Sequence, residues 1–154
     1  EQTSGTAKIN VRSVADPAVI TELKTDHAVE DSKLSAAGQL KVVDADGHNY
    51  EHFQASSYMA GHYGHLELNS AGAWTYSLDK NHSVQFLAAG EVYTENFVVK
   101  SADGTRHTVH VDIQGSNDAG SISGVAGATI LEDHNTVTGK LTVHDIDISE
   151  HHLV

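Results

Sequence analysis

The residues best equipped for chemistry in this chain are carboxylates placed on turns. Asp44-Ala45-Asp46-Gly47 and Asp145-Ile146-Asp147 share one spacing, Glu30-Asp31 and Asn117-Asp118 add further oxygens, and Asp16 and Asp103 stand beside turn residues. Alternation along an extended chain puts Asp44 and Asp46 on one side, and Gly47 permits the bend that follows. Ca²⁺ takes roughly 6–8 hard oxygen ligands at flexible angles, so loops that gather carboxylates, an Asn and carbonyls suit it. Asp, Asn and Gly are also common in turns for a plainer reason, since they tolerate left-handed backbone and make local hydrogen bonds. The 12-residue EF-hand pattern is absent. Spacing alone leaves both the cation reading and the turn reading open.

Other chemistry has less support. The chain has 12 His. Zinc needs three or four convergent ligands, and the pairs His62/His65, His107/His110 and His151/His152 do not supply them. Strand alternation sends His107 and His110 to opposite faces. Solvated His with a modest acid response is the expectation. No Gly-x-Ser-x-Gly, His-Glu-x-x-His or phosphate-binding loop occurs, and the carboxylates sit on turns with no marked pocket, so the chain reads as a non-enzyme.

These acidic groups recur at an offset of 102 residues, falling to 101 after one deletion. Asp16 falls 102 residues before Asp118, and Asp44 and Asp46 fall 101 before Asp145 and Asp147. Gly38-Gln39-Leu40-Lys41-Val42 likewise anticipates Gly139-Lys140-Leu141-Thr142-Val143, Glu30-Asp31 anticipates Glu132-Asp133, and Ile20 anticipates Ile122. Self-similarity at one period marks a repeat protein. The expected organisation is the end of one repeat over 1–16, a complete repeat over 17–118 and an incomplete one over 119–154. The chain starts at Glu1 with no signal peptide, and is read as part of a longer protein.

Strand patterns position the carboxylates. His65-Leu66-Glu67-Leu68 and Trp74-Thr75-Tyr76-Ser77-Leu78 alternate around the turn Asn69-Ser70-Ala71-Gly72, which predicts a hairpin. A second hairpin is predicted around Ala102-Asp103-Gly104-Thr105, with Val109, Val111 and Ile113 on its dry face. Asn81 to Ala89 holds the one plausible helical turn, with Val84 and Leu87 on one side. Short strands and frequent turns over about 100 residues predict an all-β, Ig-like antiparallel β-sandwich with Greek-key connections. Its expected core is Leu66, Leu68, Trp74, Tyr76, Phe97, Val99, Val109 and Val111. The least regular segment, 48–62, carries Tyr50, Phe53 and Tyr58 as candidate exposed aromatics. In such a sandwich the Asp44-x-Asp46 loop and the Asp103 turn lie at the end where the chain enters, so Asp16, Asp44, Asp46 and Asp103 are predicted to meet. Glu30, Asp31, Asn117 and Asp118 gather at the opposite end with Asp145 and Asp147.

Charge narrows the partners. Asp and Glu outnumber Lys and Arg 21 to 9, for a net charge of −12. That balance disfavours nucleic acid and anionic membranes and calls for a counter-ion. No apolar run approaches the roughly 20 residues of a membrane span. Without Cys there is no disulfide framework and no thiolate metal site.

The motifs resemble the VCBS repeat family, a group with cadherin-like and bacterial Ig-like character. The resemblance rests on Glu30-Asp31, Gly38-Gln39-Leu40, Asp44-Ala45-Asp46, Gly61-His62-Tyr63-Gly64, Trp74-Thr75-Tyr76 and Val84-Gln85-Phe86-Leu87. It continues through Thr94-Glu95-Asn96-Phe97, Asp103-Gly104-Thr105 and Gly115-Ser116-Asn117-Asp118-Ala119. It departs at Val14-Ala15-Asp16-Pro17, where the family has Asn-Asp-Ala and this chain lacks one side-chain oxygen.

The resemblance implies a tandem array in an RTX-type adhesin exported to the surface of a Gram-negative bacterium and used in attachment or biofilm. Successive repeats of the same polypeptide would be its partners, with any host or surface glycan bound elsewhere. Similarity to cadherin repeats implies Ca²⁺ at the joints. A structural extender with calcium-stiffened joints is the leading expectation. A carbohydrate- or surface-binding recognition module, or an accessory module of a secreted hydrolase, is the alternative.

Overall fold

In the computed structural model the described residues are 5–12, 14–124, 127, 132, 136 and 138–147. Leu131, Asp133 and the His151-His152 pair lie outside them. Among these residues ten strands run in chain order: β1 (Val19–Lys24), β2 (Ala28–Val29), β3 (Ser35–Val43), β4 (Ser56–Ala60), β5 (Gly64–Leu68), β6 (Ala73–Leu78), β7 (Val92–Lys100), β8 (Arg106–Gln114), β9 (Ser121–Gly124) and β10 (Leu141–His144). They form a five-stranded sheet in the order β1-β3-β6-β5-β4, a three-stranded sheet β2-β8-β7 and a separate pair β9-β10. The first two sheets are the layers of a β-sandwich. The β4-β5-β6 meander, with β3 returning beside β6 after the long 44–55 connection, makes the Greek key.

Both predicted hairpins form. β5 pairs β6 with Leu66 opposite Tyr76 and Leu68 opposite Trp74. Asn69 Oδ1 accepts the N–H groups of Ala71 and Ala73, each at 3.0 Å. Gly72 closes this turn at φ 87°, with a side-chain position only 2.4 Å from the Leu40 carbonyl, so both conformation and space require glycine. β7 pairs β8 over nine residues, from Val92–Gln114 to Lys100–Arg106. All pairs are antiparallel except β2 with β8, where Ala28 lies beside Ile113 and Val29 beside Gln114 in parallel.

Period-two patterning places the core. Every expected core residue is buried, and Ala28, Leu40, Tyr63, Val84, Leu87 and Ile113 join them. The expected helical turn is one turn of 3₁₀ helix at Asn81–Ser83, and Val84 and Leu87 plug the sandwich just beyond it.

The segment 48–62 differs from its expectation. It contains a 3₁₀ turn at His48–Tyr50 and the edge strand β4, whose register with β5 shifts between Ser56 and Met59. Phe53 is not an exposed aromatic: it is 2 % exposed, in the core, with its backbone bridged to Ser101. A single burial step between a turn and a bulged strand leaves no periodic signal to read. Tyr50 and Tyr58 are exposed as expected.

The β9–β10 pair stands apart from the core, with Ile122 and Leu141 exposed. Its register matches Ile122 with Val143 and Thr142 with Ser123. Shifting the β1–β3 register, Ile20 with Val42 and Thr21 with Lys41, by the two sequence offsets produces the same partners.

Candidate functional site

The carboxylates gather at the two ends of the sandwich, each set by the loops that its strands deliver. At the leading end, where the chain enters, a cleft of about 820 Å³ is lined by Asp16, Asp44, Asp46, Tyr50, Asp103 and Thr105. Asp46 N–H donates to Asp44 Oδ1 at 2.8 Å, which turns the loop after β3. Asp46 Oδ2 accepts the N–H of Asp16 at 2.8 Å. Asp103 Oδ2 accepts the N–H of Ala18 at 3.0 Å. The four residues expected together are therefore together, although Asp16 is held by its backbone amide. Asp44 is buried, and its Oδ2 has no partner.

At the trailing end Glu30 is fully buried, and its Oε1 accepts the N–H of Ser116 at 2.8 Å. Asp147, also fully buried, accepts the N–H of Asp118 on Oδ2 at 3.0 Å, and its own N–H donates to Asp145 Oδ1 at 3.1 Å. These last two bonds repeat, at offsets of 102 and 101, the bonds that Asp16, Asp44 and Asp46 make at the leading end. Asp31 sits in left-handed conformation, φ 60°, in the tight turn between Val29 and Lys33, and Gln85 donates to its Oδ1 at 3.0 Å. Asn117 turns its amide to the Asp118 carbonyl.

In Asp44, Glu30 and Asp147 one carboxylate oxygen is tied to a backbone N–H while the other, Oδ2, Oε2 and Oδ1 respectively, is buried and bare. Asp118 Oδ2 is also buried without a partner. Burial is the main cause that pushes the Glu30 carboxyl up to about 7, and the nearby charges of Asp31, Asp118 and Asp147 add to it against the Ser116 hydrogen bond. Asp118 moves up as well, through burial first and then through Asp31, Asp147 and Asp145. A buried carboxylate oxygen with no donor is costly unless positive charge reaches it. All the donors are hard oxygens, so a calcium-class cation fits the residues present. Among the described residues no three His, Asp or Glu side chains already close into a finished metal shell. Asn117, carbonyls and water would have to complete one.

Asp103 differs from its neighbours. Its Oδ1 accepts the Ser101 hydroxyl and the Thr105 N–H, and its Oδ2 also accepts the Thr105 hydroxyl at 2.6 Å. These bonds hold its carboxyl well below the usual range.

Among the described His residues, three meet separate neighbours. His107 meets Glu22, His110 meets Asn96, and His65 meets Asp79 while stacking on Tyr58.

Sequence reasoning gave no role to Glu95. It is 4 % exposed on the inner face of β7, where its Oε1 accepts the Tyr63 N–H at 2.7 Å and ties the β4–β5 turn across to the other sheet. The signal was available in the alternation that Glu95 shares with Phe97 and Val99.

No helix among the described residues is long and apolar enough to cross a membrane. No curated protein matches the chain. The bacterial cadherin-like domain does match, over residues 15–115, which is 101 of 154 residues. Domains of this kind are typically non-catalytic and are typically found as extracellular or surface modules. Since the match spans the sandwich from the linker ahead of β1 to the end of β8, the chain belongs to the bacterial cadherin-like domain family, as an Ig-like module of the structural and adhesive type.

Proposed function

We propose that this chain is a spacer from a tandem array in a secreted or surface-attached bacterial adhesin, of VCBS and RTX type, whose joints are stiffened by calcium. The observation that carries this reading is the paired state of the joint carboxylates. In Glu30 and Asp147 one oxygen is fixed by a backbone N–H and the other is buried without a donor. Oriented, desolvated and mutually repelling carboxylates store a free-energy cost that a bound cation offsets. Glu30 and Asp31 come from the central sandwich, Asn117 and Asp118 from the linker, and Asp145 and Asp147 from the hairpin that follows. A cation held by all three would resist bending at that joint. Asp44, Asp46 and Asp16 would do the same at the leading joint, with fewer ligands in this chain. The recurrence of the linker hydrogen bonds and of the hairpin register supports the tandem arrangement.

Thermal melts in calcium and in chelator test the reading. Extracellular modules of this sort bind calcium at roughly 10⁻⁴–10⁻³ M. At ten to a hundred times Kd the gain is about 1.4–2.7 kcal/mol, or roughly 5–20 °C for a domain of this size. Equal melting curves in calcium and chelator, with Asp147→Ala also silent, would reduce the acidic ends to turn chemistry. Exposed Tyr58, stacked on His65 at the edge of the larger sheet, favours a glycan-recognition module as the second reading, which a glycan array checks.

A further inference from the structure

The linker ahead of the sandwich is gripped at two alternate amides. Asp46 takes the N–H of Asp16 and Asp103 takes that of Ala18, while Pro17 between them has no N–H to offer. Asp103 accepts four hydrogen bonds in all, from Ser101, Ala18 and both donors of Thr105. A carboxylate has about four lone-pair positions, so nothing on Asp103 is left for a cation. Asp44 Oδ2, Glu30 Oε2 and Asp147 Oδ1 stand in contrast, buried and bare. The trailing joint keeps the same order. Ser116 N–H is held by Glu30 from the sandwich before it, and Asp118 N–H by Asp147 from the hairpin after it. Only Asn117 lies between a bond to one side and a bond to the other.

We infer that Asp103 is a positioning residue and not a cation ligand. With Asp46 it fastens the linker to the sandwich that follows, whether or not a cation is present, so the joint bends only at the residue just ahead of that grip. That residue is Asn117 at the trailing joint and Ala15, its counterpart 102 residues earlier, at the leading one. The cation's part in this rests on the proposed function, but the grip itself does not. The linker is mechanically part of the following repeat, and loss of the cation opens one residue and not the whole connection.

Amide-resolved NMR relaxation and hydrogen exchange on the full chain test this, first in chelator and then with calcium added. In chelator the amides of Asp16 and Ala18 should be as ordered as that of Ile20, and Val14 should be mobile. Asp103→Ala should release Ala18 and leave Leu66 and Val111 protected. Asp103→Asn, which keeps an acceptor but no charge, should hold Ala18 in place and leave the calcium midpoint unchanged. Mobile Asp16 and Ala18 in wild-type chelator spectra would overturn the inference. So would an Asp103→Asn variant that loses calcium affinity as far as Asp147→Asn does. If calcium orders nothing while Asp16 and Ala18 stay rigid, the stiffened joint fails and the grip stands.

Discussion

Replacing Glu30 with Gln should stabilise the calcium-free protein and remove the part of its calcium response that comes from the trailing joint. The carboxyl is fully buried at the trailing end and is pushed from 4.5 to about 7 by burial first and then by its acidic neighbours. At full weight that rise is worth about 3.4 kcal/mol. Asp31 beside it is exposed and Asp118 only half-buried, so water reaches the edge of the site and a discounted value of about 1.5–2 kcal/mol is appropriate. The sign follows from linkage. A group whose pKa rises on folding gives its full contribution below its unfolded value, near 4.5, and loses it as pH climbs through about 7. In chelator, wild type should therefore be more stable at pH 5 than at pH 8. The amide introduced by Glu30→Gln would keep an oxygen for the Ser116 N–H and carry no charge. At pH 8 in chelator the variant should melt roughly 6–15 °C above wild type, with little change between pH 8 and 5. Calcium should raise the variant less than wild type, since only the leading-joint carboxylates Asp16, Asp44 and Asp46 remain to bind it. Thermal melts at both pH values, with and without calcium, measure all of this. A Glu30→Gln protein less stable than wild type in chelator at pH 8, or one that still responds fully to calcium, would refute the reasoning.

Three further outcomes follow from the packing. Glu95→Ala strands the buried Tyr63 N–H and should cost about 2–3 kcal/mol in urea unfolding, with no effect on the calcium midpoint. In Gly64→Ala the new methyl would lie 2.1 Å from the Ser77 carbonyl and 2.5 Å from the Tyr76 hydroxyl, so a lowered urea midpoint worth about 2 kcal/mol is expected. The Asp103 carboxyl has a lowered pKa, so its contribution is present above about 3.8 and fades as pH falls below that; acid titration by circular dichroism should show Asp103→Asn with a shallower loss than wild type below pH 4.

Hairpins, most of the core and the grouping of carboxylates at two ends were legible in the sequence, because each rests on a local rule. Period-two alternation locates β5, β6, β7 and β8, and an offset shared by Asp44, Asp46 and Asp16 with their later counterparts ties the loops together. What escaped were contacts decided by the far side of the sandwich. Phe53 enters the core from a connection with no periodicity. The parallel β2–β8 pair involves two residues and leaves no pattern. Glu95 looks like any exposed acid until its strand neighbours Phe97 and Val99 are seen to face inward with it. Asp103 sits on a turn like Asp46, and only its four hydrogen-bond donors separate an anchor from a candidate ligand.

The short parallel pair has a mechanical consequence. Tension applied to the chain on both sides of the sandwich would enter through the linker before β1 and leave through Ser116 after β8, at opposite ends. Pulled this way, β2 is drawn one way along its axis and β8 the other, and β1 slides lengthwise against β3. Their ladder bonds are loaded side by side in shear, so they must rupture together and cannot be unzipped one at a time.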